Sequence, residues 1–576
     1  MSPAQTIFEK FEEVAQRYPK NEALGYKVEG HYKTLSYKRL SDKVNRCVTG
    51  LRKLGIKEGT KVAIFSYNRP EWVKLDLALN KIGATVVPIH TTLSPRLIKH
   101  IIGNSGAEYL AIGDLFSKYQ EIKDQISLKK VITFNKIEWR EDLVYFNDLL
   151  AEEPDNLLPA HGEICAIIYT SGTTGNPKGV MLTNNNFLEN IKAAAQYVPY
   201  TSKDVWLSFL LMSHVLERTG GYLGPLYYGG AIYFAQSPKT LAEDIKKAKP
   251  TILISVPRVF EKVYDKIMDK VRASSAFKQK LFFGSLRISR AYLNAKKTNS
   301  PLKFFLKLTH FFTDYLVLKK IRQSLGGRLK FSISGGAALN PSVAKFFEAA
   351  SIKVLEGYGL TETSPIIAVN PLVGYKFGTV GKVLPGVAIK IAADKEILVK
   401  GPGVMKGYYN NEAATQEAFT EDGWFKTGDL GFLDKDGYLT IIGRKKEMIV
   451  TSTGKNVNPE NIEAALVESI YISQAMVFGD KQKHISALVV PDFEELQIFA
   501  KANNLNMETH QLLKYQPVLD LIKQDMAAQL KEFPDNEQIG RFILLDKEFS
   551  EEREELTPTL KLKREKILSH YQDLIG

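Results

Sequence analysis

Two textures of hydrophobic and polar positions alternate along this chain. Between about residues 60 and 360, short apolar runs are followed by segments whose apolar residues recur at helical spacing. KVAIFSYN (61–68) is such a run. Asn68 and Pro70 then give a start signal, a helix is predicted to Ile82, and Gly83 ends it before the next run, ATVVPI (84–89). The unit returns at 240–256, where AEDIKKAK leads into TILISV. It returns again at 329–356, where LKFSIS precedes Gly335-Gly336, Asn340-Pro341 opens a helix and IKVLEG follows. This alternation predicts parallel sheets covered by helices. From about 376 to 442, short strands (GTVGKVLPGVAIKI, EILVKG, GYLTIIG) are separated by Gly and Asp turns, which predicts an antiparallel or barrel-like subdomain. After GRKKE (443–447) a smaller α+β unit is predicted, with a helix near 459–470 and strands in QAMVFG and HISALVVP. The expected fold class is α/β. A large N-terminal domain of doubly wound parallel sheets plus a β-barrel-like subdomain spans 1–445, and a small α+β domain spans 446–576.

Composition narrows the function. The chain has 576 residues, 44% of them hydrophobic and 24% charged, ordinary for a folded protein of several domain-sized units. Its only cysteines are Cys47 and Cys165, which excludes a disulfide scaffold and thiolate metal clusters. The amphipathic start MSPAQTIFEKFEEVAQRYPK lacks the layout of a secretory signal. No apolar run approaches the roughly 18 residues that a membrane-spanning helix needs. A cytoplasmic protein is expected, able to sit peripherally on the cytoplasmic face of a membrane. Residues 271–325 hold twelve Lys or Arg against one acid, Asp314, so this stretch carries +11 of the net charge of +13. One region is basic; the molecule is not. No nucleic-acid module accompanies it, and no nucleic-acid partner is expected.

The chemistry is densest at YTSGTTGNPKG (169–179), after the apolar strand ICAIIY. Its glycines allow close backbone approach to a phosphate, its hydroxyls can donate to phosphate oxygens, and Lys178 adds charge. It is not an NTPase P-loop: counted from Gly172, Pro177 stands where the second glycine belongs, and Lys178 is followed by Gly179. Further along stand EGYGLTET (356–363), TGD (427–429), GRKKE (443–447) and LTPTLKLKR (556–564).

As a set, these segments resemble the adenylate-forming (AMP-binding) enzymes, and the block DGWFKTGDLG (422–431) through RKKE (444–447) is similar to the signature of long-chain fatty acyl-CoA synthetases. The resemblance implies a two-step reaction. A carboxylate attacks the α-phosphorus of ATP, giving acyl-AMP and pyrophosphate, and the thiol of CoA then displaces AMP. No protein nucleophile is required; the protein positions anions and offsets developing charge. The resemblance implies a phosphate loop containing Thr170, Ser171, Gly172, Thr173, Thr174, Gly175 and Lys178. It further implies adenine and nucleotide contacts from Gly335, Gly336, Glu356, Gly357, Tyr358 and Gly359, with Thr361 at the α-phosphate. Glu362 would hold Mg²⁺, Asp429 and Arg444 would meet the ribose, and His214 would lie near the carboxylate. Lys446 would be the hinge of a mobile C-terminal lid, and Lys561 the lysine that reaches the α-phosphate. Some relatives carry an aromatic residue four positions after the histidine; here it is Arg218.

The expected substrates are a fatty acid, ATP and CoA, with long chains favoured by the segment 203–325. Three alternatives stay open: transfer to acyl carrier protein, a shorter or aromatic acid, and an inactive lipid- or nucleotide-binding scaffold at a membrane. The basic, aromatic-rich stretch 271–325 is a candidate contact with an anionic membrane, beside the bland reading of a solvated helical hairpin.

Overall fold

The structure is a computed structural model that describes residues 5–138, 140–154, 157–170, 176–298, 300–505, 507–557 and 561–575. Two large sheets carry the N-terminal part. The first has eight strands, in the order Gly407–Tyr408, Lys178–Leu182, Ala166–Thr170, Thr85–Pro88, Lys61–Phe65, Tyr109–Ile112, Lys130–Thr133, Leu143–Tyr145. Its centre is parallel, and Ala166–Thr170 pairs antiparallel with Lys178–Leu182. The second sheet has thirteen strands. Val205–Ser208, Ala231–Phe234, Ile252–Ser255, Phe331–Ser334 and Lys353–Gly359 form its parallel centre. Six antiparallel strands between Ile366 and Arg444 extend one edge, so the strand-rich region continues the sheet that carries the glycine motifs.

The helix Pro70–Ile82 shows how the sequence produces the layering. Proline opens it and Gly83, at φ 77°, closes it in the left-handed conformation. Nearly every side chain on it is buried, Lys74, Asp76 and Lys81 included, because it lies between layers rather than on a surface. Asn68, read as its start, does not cap it; Arg69 takes the cap position. The Asn68 amide instead donates to Ser208 Oγ (2.9 Å) and the Leu210 carbonyl (2.6 Å), and accepts from the Met212 N–H (2.9 Å). These bonds fix the loop before His214.

The C-terminal part is a three-stranded sheet, Ile472–Phe478, Ile485–Pro491 and Ile539–Leu544, with its own apolar core. The helix expected near 459–470 runs Pro459–Leu466. It stops early because Ser469 Oγ accepts from the Tyr471 N–H, turning the chain into the next strand. No described helix is long and apolar enough to cross a membrane.

Candidate active site

Asp429 stands directly opposite Arg444 in the antiparallel pair Phe425–Leu433 and Tyr438–Arg444. Register alone therefore brings the TGD and GRKKE motifs together. Arg444 Nε lies 2.8 Å from Asp429 Oδ1, and Tyr358 Oη donates to Asp429 Oδ2 at 2.6 Å. Burial raises the Asp429 pKa, while Arg444, Tyr358 and Lys561 pull it down. Burial and the Asp429 charge hold the Tyr358 phenol protonated far above its ordinary range.

The phosphate loop connects two paired strands, with Thr170 opposite Lys178. Ser171, Gly172, Thr173, Thr174 and Gly175 lie outside the described residues. Lys178 Nζ sits 5.1 Å from the centre of the Tyr408 ring, and Tyr408 Oη donates to Glu362 Oε1 at 2.9 Å. Tyr408, which the motifs did not flag, thus links the loop lysine to the Thr361–Thr363 turn. Its signal was the GYYN segment that follows the antiparallel strands. Among the described residues no three His, Cys, Asp or Glu converge on a possible metal position. Glu362 alone fits Mg²⁺ in its common mode, with one carboxylate oxygen and the remaining ligands from phosphates and water.

Gly335 and Gly336 end the strand Phe331–Ser334; Gly336 has φ 87°, which favours glycine, and a Cβ on Gly335 would meet Leu216. Gly359 is the tightest position, since a Cβ there would fall 1.8 Å from the Pro365 carbonyl oxygen. Gly357 and Glu356 share its strand. The Glu356 carboxylate accepts from the Leu339 N–H at 3.2 Å, and burial pushes its pKa up to about 7. Glu356 therefore braces the turn after Gly336.

His214 faces a second histidine, His90, with ring centres 6.1 Å apart. His90 comes from the first sheet's loop after ATVVPI, and its Nδ1 is 2.7 Å from Ser213 Oγ. The Leu216 N–H donates to His214 Nδ1 at 3.3 Å, which places the proton of the neutral ring on Nε2. Burial first, then His90 and Lys561, lowers the His214 pKa to about 3; burial lowers that of His90 to about 4. Both rings are neutral donors at physiological pH. His90 carried no motif signal because its partner lies 124 residues away.

Lys561 is the point where the C-terminal part meets this site. The Thr557 N–H donates to the Lys561 carbonyl at 2.8 Å, and the Lys561 N–H donates to Thr557 Oγ1 at 3.0 Å. The Lys561 side chain is exposed, and the protein atoms crowded round it, followed by the Arg444 charge, lower its pKa. Glu460, Asp429 and Glu447 act in the opposite direction. The charge of Lys561 thus bears on the Asp429–Arg444 pair and on His214. Lys446 sits between two anchors. Lys445 Nζ binds Asp394 (2.6 Å) and Glu396 (2.8 Å), whereas Glu447 binds Arg564 (3.3 Å) of the C-terminal part.

Arg218 takes no part in the cleft. It is buried, binds Asp76 at 2.7 Å, and stacks near Trp72 and Phe187, while Tyr222 Oη donates to the other Asp76 oxygen at 2.8 Å. It ties the His214 segment to the helix Pro70–Ile82. Its neighbour Glu217 is fully buried in a π-helical turn, Glu217–Leu223, with neither oxygen bonded, and burial raises its pKa to about 8. Cys47 and Cys165 are also buried, with both thiols pushed up to about 12 and so inert.

The AMP-binding enzyme family matches residues 11–409, and the AMP-binding enzyme C-terminal domain matches 446–576. This chain belongs to the AMP-binding enzyme family. It is 35% identical over 566 residues to the long-chain-fatty-acid--CoA ligase FadD15 of Mycobacterium bovis, covering 94% of this chain and 92% of that protein. It is 30% identical to the chloroplastic long-chain-fatty-acid--[acyl-carrier-protein] ligase AEE15 of Arabidopsis thaliana, covering 94% and 82%. Among solved structures, the adenylation domain of a carboxylate reductase from Mycobacterium chelonae shares the fold, with a TM-score of 0.78 at 22% identity, covering 100% of this chain and 91% of that one.

Proposed function

We propose that this protein is an ATP-dependent ligase that activates a long-chain fatty acid as acyl-AMP, with release of pyrophosphate, and passes the acyl group to CoA. What supports this reading is similarity over nearly the whole chain to long-chain fatty acid ligases, together with a Lys561 charge that bears on both Asp429–Arg444 and His214.

In this reading Tyr358 lies against the adenine. Asp429 accepts from the ribose hydroxyls, because each of its oxygens keeps a lone pair beyond the bond it already accepts. Arg444 approaches the same ribose. The turn of Gly335 and Gly336 and the strand Glu356–Gly359 let nucleotide and acid pass close to backbone. Thr170, Ser171, Gly172, Thr173, Thr174, Gly175 and Lys178 hold the departing phosphates, and Thr361 meets the α-phosphate. Glu362 would hold Mg²⁺, which would offset phosphate charge. His214 Nε2–H donates to the acid carboxylate and leaves it unprotonated, as a nucleophile must be. Lys561 supplies positive charge where the pentavalent phosphorus develops negative charge. In the second step the CoA sulfur attacks the acyl carbon, AMP leaves with the bonding pair, and the thiol proton passes to solvent.

The domains divide at 445/446, and rotation about Lys446 withdraws Lys561 between the two steps. The anchors on either side of Lys446 support a hinge there. The protein works as a cytoplasmic, peripheral enzyme that contacts anionic membrane through 271–325. A second reading, transfer to acyl carrier protein, is favoured by the similarity to AEE15. Incubation with oleate, ATP and Mg²⁺, with either CoA or holo-acyl carrier protein, separates them. Oleoyl-CoA is the expected product; thioester formed only on the carrier protein rejects CoA as acceptor.

A further inference from the structure

The helix Phe304–Thr313 turns its aromatic residues outward. Thr313 is buried and His310 stacks on Tyr292 with ring centres 4.0 Å apart, while Lys307 and Thr309 are exposed. Its aromatic residues face water. Phe304, Phe305 and Phe311 are 72%, 77% and 66% exposed, and Leu308, Phe312 and Tyr315 join them. At about 100° per residue, positions 304, 308, 311 and 315 fall on one stripe. Of the eighteen large hydrophobic residues exposed among the described residues, nine lie between Phe277 and Leu316. Clustered exposure of this kind marks an interaction surface, whereas scattered exposed residues do not.

The hairpin is firmly held from behind. Ser289 Oγ donates to the Ala349 carbonyl at 2.7 Å, and Phe282, Leu286, Leu318 and Ile321 are buried against the second sheet's helices. The apolar face is therefore presented on a rigid base. Lys303, Lys307, Lys319 and Lys320 are exposed around it. The segment's only acid, Asp314, is taken up by two 2.7 Å bonds from Arg322. An apolar centre rimmed by unopposed lysines matches a bilayer with anionic headgroups: aromatic rings enter the acyl boundary while ammonium groups stay at the phosphates.

We infer that the outward face of Phe304–Thr313, continued by Tyr315, is a membrane-insertion surface that seats this protein on an anionic bilayer. The insertion face deepens the ligase reading and rests on it only for its use, which is to bring the acid-binding cleft to the phase that holds an insoluble substrate. The four lysines act as the salt-sensitive component, each contributing about fivefold to partitioning near the surface. The phenylalanines act as the salt-resistant component.

The test uses the full chain with sedimenting vesicles of phosphatidylcholine, with or without phosphatidylglycerol. Octanoate-dependent pyrophosphate release is measured in the same preparations. The protein is expected to pellet with the anionic vesicles, and less so as salt rises. A Phe304→Ser, Phe311→Ser, Phe312→Ser variant should lose binding at least about tenfold at every salt concentration. A Lys303→Glu, Lys307→Glu, Lys319→Glu, Lys320→Glu variant should lose mainly the salt-sensitive part. Both should keep wild-type octanoate activity. Absence of vesicle binding at low salt, or binding untouched by the serine substitutions, overturns the inference. So does self-association that the serine substitutions abolish in a protein that ignores vesicles, since the face would then join two copies of this chain. Loss of octanoate activity in the wild-type protein would instead strike the ligase reading, and vesicle binding would still decide the docking face.

Discussion

Replacing Glu217 by Gln should stabilise the protein, by an amount set by pH. Glu217 is fully buried in the π-helical turn that follows His214, and neither carboxylate oxygen is bonded. The side chain cannot retreat, because a Cβ on Gly221 would already fall 2.4 Å from its carboxyl carbon. Burial raises its pKa from 4.5 to about 8. The folded-state pKa lies above the unfolded one. The protonated acid therefore costs the fold nothing below about pH 4.5; the cost grows through the interval and is complete above about 8. At about 1.4 kcal/mol per unit, the cost at pH 7.5 is about 4 kcal/mol, to within about 1 kcal/mol. Glutamine has the same shape and no charge, so it removes that cost. Urea unfolding of both proteins, followed by tryptophan fluorescence between pH 5 and 9, should show a difference of about 1 kcal/mol at pH 5. The difference should rise by about 1.4 kcal/mol per unit and level off above pH 8. A difference that does not vary with pH would refute the reasoning, as would a variant less stable at every pH.

Three further outcomes follow from the site. Lys561→Ala should lose at least about 10²–10³ in acid-dependent pyrophosphate release yet still convert supplied acyl-AMP and CoA to thioester; equal loss in both half-reactions would remove its assigned role. His90 and His214 have folded pKa values of about 4 and about 3, below the ordinary 6.5, so stability should fall as pH drops from about 6.5 towards 4; a His90→Gln variant should flatten that slope in urea unfolding. Both thiols are buried and neutral, so Cys47→Ser with Cys165→Ser should keep turnover within a few-fold once correctly folded protein is selected by gel filtration.

Local signals carried the layered fold far. Pro70 and Gly83 bound a real helix, and the apolar runs at 61, 84, 252 and 331 are strands of the two sheets. Asp429 and Arg444 meet because strand register places them opposite one another, whereas Tyr358 reaches Asp429 through its side chain from a non-adjacent strand of the same sheet. The remaining features depend on distant partners. Asn68 has the composition of a helix cap, but long-range bonds to the loop before His214 outweigh the local role. Arg218 looks like a surface charge until Asp76, 142 residues earlier, closes a buried pair with it. His90 meets His214 only when the two sheets pack. Charge and hydrophobic pattern did reveal that 271–325 is unusual. Only the packing of Thr313 and His310 shows that its second helix turns Phe304, Phe305 and Phe311 outward.

The central claim is that a long-chain carboxylate is joined to AMP in the cleft closed by Lys561. Exchange of labelled pyrophosphate into ATP, measured with acids from acetate to oleate, tests it most directly. Exchange should depend on added acid, be strongest with the long-chain acids, and collapse in Lys561→Ala. Exchange that no acid supports, or that survives the loss of Lys561 undiminished, would contradict it.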